Sequence, residues 1–185
     1  MSLRPPVDRA RLQSLITLLA ARVRVPVRLY LQGGSISVWH GRRDATIDVD
    51  YDAEVASQHL SQWEHALREV AEQLQINVEP AGPGDFLPLP EGWQGRCRFV
   101  GQYGPIAVYT FDPFSTALAK LARGNRTDLA DVDGLLARGE VDPERLRTMA
   151  QSILPRWNAR VARQSAEAFR AKVDAFLESR ADPTA

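Results

Sequence analysis

The chain of 185 residues is long enough for one well-buried domain with a helical extension, and its 23 Lys plus Arg against 23 Asp plus Glu exclude a global basic field for nucleic acid. Any nucleic-acid partner must be held by a local patch. With 44 % hydrophobic and 25 % charged residues the composition is that of a soluble globular protein; the single Cys97 excludes an internal disulfide or a zinc cluster, and no apolar run spans a bilayer, so the cytoplasm is the expected compartment.

After Asp8, the residues Leu12, Leu15, Ile16, Leu19 and Val23 recur at helical spacing. They predict an amphipathic helix over 8–24, packed on the core and stopped by Pro26, so that 1–24 forms an N-terminal helical segment. Val27–Leu31 reads as the first strand, running into Gly33-Gly34-Ser35 and a short helix from Ile36 to Trp39. Ala45 to Tyr51 reads as the second strand. A helix over 54–74 carries Leu60, Trp63, Leu67, Val70 and Leu74 on one face, with Glu64 and Arg68 as an i, i+4 pair. It leads to a strand at Ile76–Glu79. Residues 80–94, with four prolines and three glycines, form a loop, either a substrate-facing flap or solvent-exposed irregular chain.

Arg96 to Val100 and Pro105 to Phe111 read as strands around a turn at Gly101-Gln102-Tyr103-Gly104. Helices are then expected at Phe114–Ala122, Thr127–Ala137, Pro143–Leu154 and Pro155–Ser179, punctuated by Gly124, Gly139 and Pro155. Strands bracketed by helices predict an α/β sheet core over 25–112, followed by a helical part over 113–180.

The chemistry concentrates at Gly33-Gly34-Ser35 and, after a gap of twelve residues, at Asp48-Val49-Asp50. Side chains at i and i+2 of a strand share a face, which sets the two carboxylates roughly 7 Å apart at the backbone, within reach of one hard cation. Glycines allow close approach of a phosphate, and a serine hydroxyl with the N–H groups of a helix start can hold its oxygens. Each feature also has a purely structural explanation. The aspartates, continued by Asp52, fit a polar strand edge, and Gly33, Gly34 and Ser35 fit a tight turn with Ser35 as N-cap.

Leu29–Ser35 followed by Arg43–Asp50 resembles the signature of the minimal nucleotidyltransferases, the superfamily with the DNA polymerase beta-like core. A second block, Lys120-Leu121-Ala122-Arg123 then Arg126–Asp131, resembles the downstream lysine and aspartate blocks of abortive-infection nucleotidyltransferase toxins of type IV toxin–antitoxin systems. Together the resemblance covers about residues 25 to 138. It implies a mixed-sheet nucleotidyltransferase-fold core and Mg²⁺-dependent transfer of a nucleoside monophosphate from an NTP to a hydroxyl acceptor, tRNA or protein, with an antitoxin as a possible partner. It further implies that Asp48 and Asp50 bind metal, that Gly33, Gly34, Ser35 and Arg43 hold the nucleotide, that Lys120 neutralises charge on the leaving pyrophosphate, and that Asp128 is a candidate for metal or base contacts. A catalytically inactive module that senses nucleotides or binds proteins is the alternative.

Other residues stay open between local and functional roles. Lys120 lies on an apolar helical stretch, where a snorkelling lysine is the plain reading. Asn125 with Asp128 fits a capping box with Asp in place of Glu, and Arg126-Thr127-Asp128 interposes a threonine where the resembling toxins have the aspartate directly after a basic residue. Asp112 follows a strand as a third metal carboxylate would, but Asp112-Pro113 is more simply an N-cap with proline at N1. His40, Arg42, Arg96 and Arg98 read as solvated or structural residues.

Overall fold

The computed structural model describes residues 4–181. Asp8 starts the first helix as expected, its carboxylate accepting the Arg11 N–H at 2.8 Å. It closes a short strand, β1 (Val7–Asp8), and caps α1 (Arg9–Arg22), which ends where Val23 turns extended ahead of Pro26. The stripe Leu12, Leu15, Ile16 and Leu19 is at most 2 % exposed, so the helical period read from the sequence is the buried face.

The chain continues as β2 (Val27–Leu31), α2 (Gly33–Trp39), β3 (Ala45–Thr46), β4 (Asp48–Glu54), α3 (Leu60–Gln73), β5 (Asn77–Pro80), β6 (Arg98–Tyr103) and β7 (Ile106–Thr110). β2, β4, β5, β6 and β7 form one mixed sheet in the order β5-β4-β2-β7-β6, with β2–β7 and β4–β5 parallel and the other two pairs antiparallel. This is the expected α/β core. Val27, Leu29, Leu31, Val49, Ile106 and Val108 project from one face of the sheet into a cluster with α1 and with Trp63, Leu67 and Val70 of α3. Alternation sends Tyr30, Asp48, Asp50 and Asp52 to the other face.

Several boundaries differ from the expectation. The strand expected over Ala45–Tyr51 is two strands: Ala45–Thr46 pairs antiparallel with Val7–Asp8, Ile47 stands 69 % exposed at the break, and β4 then runs on to Glu54. The helix expected from Glu54 therefore begins at Leu60, after a turn of 3-10 helix at Ser57–His59. The β6–β7 turn lies at Gly104-Pro105 rather than at Gly101–Gly104, because β6 continues to Tyr103 through a bulge between Phe99 and Gly101.

The chain divides into two compact units, the first made of residues up to Gly82 with Arg98–Phe111, the second of Pro83–Cys97 with the chain from Asp112 onward. The second unit holds α4 (Pro113–Arg123), α5 (Arg126–Ala137), α6 (Pro143–Ile153), α7 (Ala159–Ala162) and α8 (Ala166–Ala181) around Leu118, Leu121, Val132, Leu146, Ile153, Phe169 and Val173. The proline-rich loop joins this core through Leu87, which is 2 % exposed. The helix expected over Pro155–Ser179 is broken. Asn158 caps the four-residue α7, Arg163 takes a left-handed φ of 54°, and Trp157 stacks on Phe169 with ring centroids 4.4 Å apart while its indole N–H donates to the Gln164 carbonyl. That stack and hydrogen bond fold the chain back where a continuous helix would hold Trp157 and Phe169 three turns apart.

Candidate functional site

The turn from β2 into α2 is built on close approach. Gly33 has φ +48°, and a Cβ placed on it would collide with the Asp50 carboxylate, so that carboxylate packs directly on the glycine. A Cβ on Gly34 would lie 2.5 Å from Thr46 Oγ1 and 3.5 Å from an Arg43 guanidinium nitrogen. Gln32 donates its backbone N–H to the Asp50 carbonyl at 3.0 Å, which ties the turn to β4. The glycines are thus required by Asp50 and Thr46 as neighbours, and Arg43 reaches the same turn from the following loop.

Ser35 does not cap the helix. The cap position is Gln32, whose carbonyl accepts from the Ser35 and Ile36 N–H groups at 3.0 and 3.3 Å. Ser35 lies inside the first turn, fully buried, and its hydroxyl has no hydrogen-bond partner within the protein; the Gln32 side-chain amide nitrogen, also buried, has none either. Buried polar groups are nearly always paired, and leaving one unpaired costs about 1–3 kcal/mol. Two such groups one turn apart, beside a carboxylate and an arginine, are unspent capacity for a polar ligand.

Asp48 and Asp50 are half-buried on the face opposite Val49. Asp52 continues the alternation but its carboxylate turns back to its neighbour, accepting the Ala53 N–H at 2.7 Å. A third carboxylate escaped the sequence reading. The parallel β4–β5 register sets Glu79 opposite Asp50 and Asn77 opposite Asp48. In-register parallel strands send such partners to the same face about 4.8 Å apart. Glu79 was legible only as the end of a strand; its pairing partner, 29 positions earlier, is a property of the sheet. Glu79 also borders a cleft of about 420 Å³ along the β5 edge, shared with Arg4 and Arg68.

Among the described residues no group of three or more His, Cys, Asp or Glu side chains is gathered tightly enough to hold a metal ion unaided. Mg²⁺ does not require one, since it keeps several waters and binds through one or two carboxylates plus substrate phosphates. The donor set, hard carboxylates beside a turn with unpaired hydroxyl and amide groups, fits such an ion arriving with a phosphorylated ligand.

Asp112 belongs to the second unit and is occupied. It is fully buried, accepts from Nε and Nη2 of Arg96 at 3.0 and 2.8 Å, caps α4 through the Phe114 and Ser115 N–H groups at 3.1 and 3.3 Å, and accepts the Ser115 hydroxyl at 2.6 Å. The cap reading holds. Arg96, expected to open the strand that runs to Val100, lies outside it and is drawn inward by this carboxylate.

Lys120 and Asp128 are brought together, eight residues apart on successive helices. The Lys120 ammonium lies 3.0 Å from Asp128 and 2.7 Å from Asp131. Asp128 in turn takes two hydrogen bonds from Arg123, at 2.9 and 2.8 Å, and one from the Asn125 amide at 2.6 Å, while Asn125 caps α5 by accepting the Asp128 N–H. Burial by itself would raise the Asp128 carboxyl, but the hydrogen bonds from Arg123 and Lys120 and their positive charge outweigh it and hold it below the usual carboxylate value. Asp128 is therefore ionised and a poor proton acceptor. Lys120 is not a snorkelling lysine, since it ends on carboxylates rather than in water.

No helix among the described residues is long and apolar enough to cross a membrane. Comparison with curated proteins and with solved structures gave no significant match. A family model described as "Nucleotidyltransferase of unknown function (DUF6036)" matches residues 26–176, from the strand before the glycine turn to the last helix.

Proposed function

From the premise that the chain belongs to this nucleotidyltransferase family, we propose that it transfers a nucleoside monophosphate from an NTP to a hydroxyl acceptor in a divalent-cation-dependent reaction. The observation that carries the proposal is the pair of buried, unpartnered groups, the Ser35 hydroxyl and the Gln32 amide, in the turn on which the Asp50 carboxylate packs. Asp48 and Asp50 would hold Mg²⁺, which when bound offsets charge on the phosphoryl oxygens.

The chain's own residues do the rest. Gly33 and Gly34 let the triphosphate approach the main chain, the Ser35 hydroxyl and Gln32 amide donate to its oxygens, and Arg43 adds a guanidinium at the same turn. The acceptor oxygen bonds to the α-phosphorus as the bond to the bridging oxygen of the β-phosphate breaks; pyrophosphate leaves with that electron pair, and the acceptor proton passes to the Glu79 carboxylate beside Asp50. For Lys120 the family resemblance implies a charge-neutralising role. Asp128, too acidic for a base, holds Lys120 and Arg123 in place.

The acceptor, tRNA or a protein, and a setting as the toxin of a toxin–antitoxin pair with an antitoxin partner, follow from the resemblance of the Lys120–Asp131 block. The experiment is incubation of the protein with Mg²⁺, the four NTPs, bulk tRNA and a protein extract, read by pyrophosphate release and by mass spectrometry of nucleotide adducts. An adduct one nucleoside monophosphate heavier than tRNA or a protein supports the proposal; absence of both divalent-dependent NTP binding and pyrophosphate refutes it. A non-catalytic nucleotide-sensing module is the second reading, favoured by the ion pairs that occupy Lys120 and Asp128, and NTP binding with no pyrophosphate release would select it.

A further inference from the structure

The second unit contains a cleft of about 540 Å³ at the C-terminal end of α4, walled by Asp85, Phe86, Arg123, Val161, Arg163, Gln164 and Lys172. We propose that it binds a nucleoside phosphate, either free or as a unit of single-stranded RNA, at a site whose residues are distinct from Asp48, Asp50 and the glycine turn.

Three observations converge. Gln164 Nε2 donates to the Ala122 carbonyl at 2.9 Å, which fixes the amide's orientation and leaves its oxygen, buried in the wall, with no partner. A buried carbonyl oxygen is an acceptor waiting for a donor such as a base amino group or a ribose hydroxyl. Next to it, Arg163 caps α7 with a left-handed φ of 54°, which a non-glycine residue adopts only at a cost, and its side chain is exposed at the cleft wall. Finally, Phe86 is 37 % exposed with the Arg123 guanidinium 5.4 Å from its ring centroid, and Val161 stands 49 % exposed in the same wall. That is a flat apolar and cationic platform of the kind on which bases stack.

The charge pattern selects the ligand class. Arg123 is already paired with Asp128, and Arg163 and Lys172 against Asp85 leave the cleft wall with a cationic excess, which calls for an anion. Asp85 disfavours a bare polyanion and favours a ligand that brings hydrogen-bond donors with its charge, as a nucleoside phosphate does. Structural accounts exist for three of these residues: the Lys172 ammonium donates to the Ala122 carbonyl at 2.8 Å and so caps the end of α4, Arg123 pairs with Asp128, and Arg163 caps α7 where the chain folds back. They explain neither the orphaned Gln164 oxygen nor the exposed ring.

The test uses the full chain in EDTA, so that no cation bridges a phosphate to Asp48 and Asp50. Binding of AMP, of a short single-stranded oligoadenylate and of inorganic phosphate is measured by calorimetry or fluorescence anisotropy. Expected is binding of AMP or the oligomer that weakens about tenfold or more in Phe86→Leu, which removes the stacking ring but keeps apolar bulk, and in Arg163→Gly. Arg163→Gly is the discriminating variant. Glycine accepts the left-handed conformation, so a structural role predicts unchanged or raised melting temperature and unchanged binding, whereas a ligand role predicts a well-folded protein that binds less. Asp50→Asn should not weaken binding in EDTA. Preference for AMP assigns the site to a free nucleotide and preference for the oligomer to RNA. Binding of neither, phosphate bound as tightly as AMP, or binding indifferent to both substitutions overturns the proposal. Because no divalent cation is present, this outcome is independent of nucleotidyl transfer.

Discussion

Replacing Gly33 with alanine tests whether the turn and Asp50 form one piece of machinery. The added Cβ has two costs. Alanine in the left-handed region costs about 1–2 kcal/mol. The Cβ would also collide with the Asp50 carboxylate oxygen and lie 3.2 Å from its Cγ, forcing the side chain off its rotamer for about 0.5–1.5 kcal/mol more. Gly41 supplies the control. Its φ of +67° carries the first cost, but a Cβ there meets nothing within 4 Å. Both substitutions restrict the unfolded chain alike, so that contribution cancels in the comparison. Urea unfolding followed by tryptophan fluorescence should show Gly33→Ala less stable than Gly41→Ala by about 1 kcal/mol. In an Asp50→Ala background, where the nearest remaining atom of residue 50 is Cβ at 3.5 Å, the difference should vanish. Divalent-dependent NTP binding should be lost in Gly33→Ala and kept in Gly41→Ala. Equal costs at the two glycines in both backgrounds, with NTP binding intact in Gly33→Ala, would refute the reasoning.

Three further outcomes follow from the geometry. Mg²⁺ with NTP at a hundredfold excess over its dissociation constant should stabilise the wild type by about 2.7 kcal/mol and Asp50→Asn far less, read as melting temperature against ligand; equal shifts would remove Asp50 from the site. Asp128 has a depressed folded-state pKa, so its contribution is fully present above the ordinary carboxylate value near 3.9 and lost as pH falls through the lower folded value. Urea midpoints between about pH 5 and 2 should therefore fall more steeply for the wild type than for Asp128→Asn, and parallel curves would mean the ion cluster adds nothing. Arg96→Met leaves the buried Asp112 carboxylate without its cation and should cost about 3–5 kcal/mol in chemical denaturation; a loss under 1 kcal/mol would show that the α4 amides and the Ser115 hydroxyl suffice.

What the chain settled by itself is what acts within a few residues. The apolar stripe Leu12–Leu19, the caps at Asp112 and Asn125 and the strand alternation that puts Asp48 and Asp50 on one face all depend on i to i+4 neighbours, and they stand in the structure where the sequence set them. Tertiary structure decided what depends on distant chain. The pairing of Val7–Asp8 with Ala45–Thr46 split the expected strand; the β4–β5 register set Glu79 beside Asp50; Arg96 was drawn inward by Asp112; and the Trp157–Phe169 stack broke the last helix. The physical reason is range. Helix periods, caps and turns are local energies written in adjacent residues, whereas strand register and buried ion pairs are fixed only when segments tens of residues apart meet, and no local pattern at Glu79 or Arg96 records which partner it will face.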